Sequence, residues 1–205
     1  MSTPSSVTAT FSSSTSHTLT VKIGGSSLGS VSSAPSGINT CITTCSASFT
    51  NGSVVTLTAS PDAADGTFLK WRGDACDESI SVTCQVTMTA AKTLTAVFSK
   101  TFTDATLTRQ VTSIKAVHVT DLRNAIDMLR LRNGLGAFGW TDISVFPGST
   151  PIKRQHLLEL RTALDQAYAQ AVKTHTPYAE SITAGSTPIM ASHLSELRTH
   201  VKGLE

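Results

Sequence analysis

The sequence predicts an α+β protein in two domains, a small disulfide-linked antiparallel β domain followed by an all-α domain of three helical repeats. Three observations carry this. Residues 1–100 are rich in Ser, Thr and Gly and hold all four cysteines, whereas residues 101–205 have no cysteine and most of the Leu, Arg and His. The first half contains short alternating apolar stretches cut by turn signals, the mark of strands. The second half contains one long pattern three times, the mark of a repeat architecture.

Taken in order, residues 1–16 ("MSTPSSVTATFSSSTS") have little to bury and are expected to be a Ser/Thr-rich linker. The β domain is expected over 17–99. "HTLTVKI" (17–23) alternates Leu19, Val21 and Ile23 on one face, and "GGSSLGS" breaks it. "GSVVTLTAS" (52–60) turns inward either Val55, Leu57 and Ala59, or Val54 with the threonines. "TFLKWRG", "SISVTCQVTM" and "KTLTAVFS" bring the expected total to five or six strands. "PDAADG" and "GDACDE" lack the alternating oxygen spacing of a calcium loop and read as turns.

Cys41, Cys45, Cys76 and Cys84 allow three pairings, and sequence alone does not choose among them. Zinc wants two tight pairs or nearby histidines, but the second pair is wide and His17 is the only histidine of this half. Disulfides are therefore expected, Cys41 with Cys45 and Cys76 with Cys84, in an oxidising compartment. Trp71 is either a ligand-stacking platform or, with Phe68 and Phe98, the anchor of a sparse core.

The elements "LTVKIGGSSLGSVSSAPSGINTC", "NGSVVTLTASP", "FLKWRGDAC" and "CQVTMTAAKTLTAVF" occur in the order of the divergent bacterial repeat related to the internalin B-type repeat. Residues 18–98 resemble that family, and the four cysteines stand at its usual cysteine positions. The resemblance implies a β-grasp-like, surface-exposed spacer or adhesion module and supplies no catalytic residue.

The α domain is expected over 100–205, with repeats at about 102–139, 140–177 and 178–205. "TSIKAVHVTDLR" (112–123), "TPIKRQHLLELR" (150–161) and "TPIMASHLSELR" (187–198) share one plan. Each is preceded by an aromatic and an acid two residues later: Phe102 and Asp104, Trp140 and Asp142, Tyr178 and Glu180. From the isoleucine, His stands at +4, an acid at +7, Leu at +8 and Arg at +9. The motif residues are thus His118, Asp121 and Arg123; His156, Glu159 and Arg161; His193, Glu196 and Arg198. Thr150 fits an N-cap and Pro151 the first helical position.

At about 100° per residue the histidine falls inside the apolar stripe, with the acid on one border and the arginine on the other. Three His–acid pairs could converge on a metal, since neutral imidazole with carboxylate is a usual ligand set. The reading preferred is that each histidine is a satisfied core residue bonded to its own polar loop, while each arginine reaches an acid of a neighbouring repeat. Triplication favours it, because a repeat solves the same packing problem each time. No metal site, cofactor or catalytic residue is therefore expected.

These repeats are similar to a C-terminal module of large secreted bacterial proteins with the consensus "TPIRAVHLTELR", and distantly to the surface-layer homology domain. That likeness raises glycan or cell-wall attachment, with Phe102, Trp140 and Tyr178 as candidate ligand-facing aromatics beside Trp71. The two halves carry five basic and five acidic, then eleven basic and nine acidic residues, so no basic surface for nucleic acid is indicated. No run of 18 apolar residues predicts membrane insertion. HExxH, P-loop and Cys–His patterns are missing, which argues against catalysis. The expectation is a non-catalytic fragment of a longer secreted or cell-surface bacterial protein, a spacer and docking module for a protein or surface-glycan partner.

Overall fold

The structure, a computed structural model, describes residues 15–108, 111–146, 151–183 and 188–205. Seven strands come first: β1 (Ser16–Gly25), β2 (Gly29–Ala34), β3 (Thr44–Thr50), β4 (Val54–Pro61), β5 (Gly66–Arg72), β6 (Thr83–Thr87) and β7 (Lys92–Lys100). Three helices follow: α1 (Ala116–Arg132), α2 (Arg154–Gln170) and α3 (Ala191–Leu204).

The strands form a four-stranded sheet, β3-β1-β7-β5, and a three-stranded sheet, β2-β4-β6, whose inner faces share one core. Alternation decides which side chains enter it. Leu19, Val21 and Ile23 of β1 are buried, as are Val55, Leu57 and Ala59 of β4, while Val54 is exposed. The structure corrects the expected pattern in two ways. The central pair β1–β7 is parallel, because the chain crosses to the other sheet and back between them. Two strands, β2 and β3, fall outside the five segments picked out from sequence; GSVSSA and TCSASFT fully bury only Val31 and Phe49, and in β3 the alternation of Cys45, Ala47 and Phe49 rests mostly on small side chains.

Cys41 is bonded to Cys45 and Cys76 to Cys84. Each bridge ties a loop to a strand that contributes few apolar side chains. Trp71 is fully buried, packs on Phe68 with ring centroids 5.5 Å apart, and donates its indole N–H to Ser81 O at 2.9 Å. It is a core anchor and cannot be a ligand platform. "GDACDE" is a turn: Asp77 accepts the Gly73 N–H and Asp74 the Thr93 N–H.

Of the linker expected over 1–16, residues 1–14 lie outside the described residues, and Ser16 already belongs to β1. Thr150 also lies outside them, but the helix it was expected to cap begins later. Lys153 is the N-cap of α2, and Pro151 stands in the extended approach. Lys115 and Met190 hold the same place before α1 and α3. Ile114 and Ile152, two residues before α1 and α2, then stand at the outer position of a hydrophobic staple, with Val119 and Leu157 at the inner position and Leu194 at the equivalent place in α3. Ile114 and Ile152 pack against the core that all three inner residues enter.

Helices α1 and α2 end in one geometry built from different residues. Asn133 closes α1 and Gly134 follows at φ 81°, with Leu135 N–H bonding back to Arg130 O. The same geometry ends α2, where Lys173 N–H reaches Tyr168 O, but the left-handed residue is Val172 at φ 54°. The two halves meet through polar contacts. The Arg132 guanidinium donates to the carbonyls of Gly24 and Gly25, and Ser26 Oγ donates to Glu205. Lys100 Nζ stands 2.7 Å from Asp65 and 3.7 Å from Asp121, one carboxylate from each half.

Candidate functional site

Each repeat histidine is the third residue of its helix, and its two nitrogens do different work. Nδ1 of His118 accepts the N–H of the N-cap Lys115 at 3.2 Å; His156 accepts from Lys153 at 3.3 Å and His193 from Met190 at 3.2 Å. This is the half of a capping box that Glu or Gln usually supplies. A backbone N–H only donates, so Nδ1 carries no proton and the ring is the neutral Nε2–H tautomer.

Nε2 then donates to the acid of the preceding loop: His118 to Asp104 at 3.0 Å, His156 to Asp142 at 3.0 Å, His193 to Glu180 at 2.8 Å. The imidazoles are buried at 0%, 0% and 3% exposure, so both bonds are needed to satisfy them. Lys115 and Lys153 also reach Asp104 and Asp142, at 2.7 and 2.6 Å. The lysine ammonium, followed by the histidine bond, holds each of these aspartates below the ordinary carboxylate value. Both aspartates sit at positive φ, 50° and 49°, a backbone form that Asp tolerates.

The acid inside each helix clasps the same loop from the other side. Asp121 accepts the Thr103 N–H at 2.8 Å, Glu159 the Thr141 N–H at 3.1 Å and Glu196 the Ala179 N–H at 2.7 Å. Burial works against the Glu159 charge, but bonds from Thr141 and Gln155 outweigh it and keep the carboxyl low.

The arginines point onward. Arg123 donates to Asp142 O and Thr141 O of the second repeat, both at 2.8 Å. Arg161 reaches Glu180 O of the third at 2.7 Å and the Glu196 carboxylate at 3.3 Å. Arg198 returns to the first repeat, donating to Asp104 O and Thr103 O at 2.8 Å each. The three units therefore close into a ring, each helix gripping the loop of the next.

Each guanidinium also covers the aromatic of the loop it grips. Arg123 lies 5.0 Å from the Trp140 centroid, Arg161 4.2 Å from Tyr178 and Arg198 4.8 Å from Phe102. Four residues beyond the arginine a second group meets the ring's tip. Asp127 accepts from Trp140 Nε1 and Asp165 from the Tyr178 hydroxyl, both at 2.7 Å. Phe102 has no polar tip, and its counterpart is Lys202, 5.9 Å from the ring centroid. Burial, reinforced by Asp165, raises the Tyr178 phenol.

The candidate aromatics thus belong to the seams of the ring. Phe102 is buried, and Trp140 and Tyr178 are half-buried with one face under a guanidinium. Among the described residues no group of three or more His, Cys, Asp or Glu could hold a metal ion. The repeat residues are brought together as three equivalent clasps. The N-cap role of the histidines and the return of Arg198 to the first loop went unseen in sequence; the signal for the former was the fixed distance from the isoleucine to the histidine.

The fold and these clasps define a two-part structural module, a disulfide-tied β sandwich followed by a closed helical ring. Residues 19–102 match the family described as the divergent InlB B-repeat domain, so the N-terminal part is a repeat of that type. No curated protein and no solved structure matches the chain. The repeat family suggests a non-catalytic, surface-associated bacterial module. No helix among the described residues is long and apolar enough to cross a membrane.

Proposed function

We propose that this chain acts outside the bacterial cell as a stiff spacer and docking module of a larger surface or secreted protein. The observation that carries this reading is the polar junction between the halves. Arg132 is sunk into the end of β1, and burial pulls its guanidinium down to about 10. Arg72 donates to Glu205 O at 2.6 Å and Lys202 to Ser99 at 3.1 Å, so the C-terminal end of α3, like that of α1, is tied to the sheet. A module tethered at several points transmits orientation as well as distance, which a flexible linker does not.

The two disulfides support an oxidising location. The glycan-stacking alternative receives less support, because the arginines occupy the aromatic faces that a sugar would need. A protein partner fits the reading better.

Two measurements test it. Cell-impermeant labelling of intact bacteria should tag the native protein, and thiol titration of the tagged pool should find no free cysteine. A reduced pool inaccessible from outside would sink the location. Small-angle scattering of the purified chain should fit one rigid shape, and Arg132→Ala should broaden it. An ensemble of relative orientations in the unaltered chain would sink the spacer role.

A further inference from the structure

Sheet edges in natural proteins are normally protected, because an exposed row of N–H and C=O groups templates pairing with another chain. Three of the four edges here are covered. Outside β2, Val31 bridges to Cys41 and Ser33 N–H bonds to Ile38 O. Outside β5, Trp71 N–H bonds to Ser79 O and Glu78 N–H to Trp71 O. Beside β6 lies the Asp74–Cys76 turn, tied to it by the Cys76–Cys84 bridge.

The fourth edge, β3, has the sequence TCSASFT, with no charge and no proline. Its main-chain directions follow from the antiparallel register with β1. Ile23 N–H bonds to Thr43 O at one end and Asn51 N–H to Thr15 O at the other, both at 2.8 Å. Alternation then directs the main chain of Cys45, Ala47 and Phe49 toward β1, and that of Thr44, Ser46, Ser48 and Thr50 away from the sheet. Among the described residues no hydrogen bond from another segment reaches the main chain of Ser46 or Ser48.

The strand is also close to a palindrome about Ala47. Threonine stands three residues to either side of it and serine one residue to either side; only Cys45 and Phe49 differ. An antiparallel pair centred there sets Ser46 against Ser48 of the other copy and Thr44 against Thr50. Those are the outward-facing residues, so parity and palindrome select the same register. Like hydroxyl pairs across strands are favourable, and no like charges meet.

We propose that β3 is a self-pairing edge, through which two copies of this chain join antiparallel about a two-fold axis at Ala47 into one continuous eight-stranded sheet. The contact is isologous and closes at two copies. It would bring two parent proteins side by side on a surface, an interaction beyond the spacer role.

Sedimentation velocity on the full chain from about 10 to 500 µM tests this, with amide exchange at both ends of that range. A monomer–dimer equilibrium is expected, with Ser46 and Ser48 amides slowed at least about tenfold only at the high concentration. Ser46→Pro, which removes an outward N–H, and Ser48→Lys, which adds a gatekeeping charge, should each weaken the dimer at least about tenfold with an unchanged melting curve. Thr199→Lys on α3 should leave it intact. A monomer throughout the range overturns the proposal. So does a dimer indifferent to both β3 variants, or protection of the two serines at every concentration, which would mean that the edge is filled from within the chain.

Discussion

Arg198 donates to the backbone carbonyl of Asp104 at 2.8 Å, across 94 residues of chain. The bond joins the last helix to the first loop and turns three consecutive units into a closed circuit. Its partner bond to Thr103 O leaves two carbonyls without a donor when the side chain is cut away. Arg198→Ala should therefore lower stability by about 1–3 kcal/mol, at 0.5–1.5 kcal/mol for each of the two hydrogen bonds lost. Urea unfolding followed by helical circular dichroism measures it. Arg123→Ala should cost as much as Arg198→Ala, since the geometry repeats; a negligible effect at Arg198 alone would mean that the ring is open in solution.

His156→Leu removes an N-cap bond and a carboxylate bond together and should cost about 1–3 kcal/mol. His156→Gln keeps a side-chain acceptor at the third helical position and should cost less. Because both ring nitrogens already have protein partners, chelator or added zinc should move the melting temperature by less than about 1 °C. A larger loss on chelation would show the histidines to be ligands.

Asp104 and Asp142 titrate below their ordinary value in the folded protein, chiefly through Lys115 and Lys153. A depressed folded pKa contributes stability that is present above the unfolded value of 3.8 and is lost as pH falls through the folded value. The contribution of these two carboxylates should thus persist until the pH drops below about 3.8 and then fade, lowering the stability of the helical part. Lys115→Met with Lys153→Met copies the natural Met190 of the third repeat and should move the acid midpoint upward. An unmoved midpoint in an acid titration would remove the lysines from the account.

Val172 holds a left-handed backbone, 93% exposed, at the end of α2. A β-branched residue is costly there, and Gly134 shows the usual solution after α1. Val172→Gly should stabilise by about 1 kcal/mol, raising the melting temperature by roughly 2–4 °C. Scanning calorimetry checks it, and destabilisation would place Val172 in a packing role.

What could be read in the sequence depended on whether the stabilising contact was local. The Leu19, Val21 and Ile23 face, the apolar helix stripes and the triplicated motif rest on short-range periodicity and were legible. The strands β2 and β3 were not, because their Ser and Thr residues are held by main-chain pairing, to which side-chain patterning is blind. Thr-Pro before the helix suggested a cap, yet the capping group is His156, three residues inside α2 and reaching backward. Trp71 read more readily as a core anchor than as a ligand platform, and its neighbours Phe68 and Ser81 bear that reading out. The return of Arg198 to Asp104 was hidden for a different reason: a linear repeat reads the same whether its array is open or joined end to end.

That joining also limits how such a protein can grow. In an open array a duplicated unit adds one more rung and one more interface. Here a fourth unit would have to break the grip of Arg198 on Thr103 and Asp104 before it could insert. Gene duplication within the helical part is therefore penalised at every intermediate step, and a protein of this kind lengthens at less cost by copying the three units together. The number three is a property of the circuit's geometry, and longer relatives should carry these helices in multiples of it.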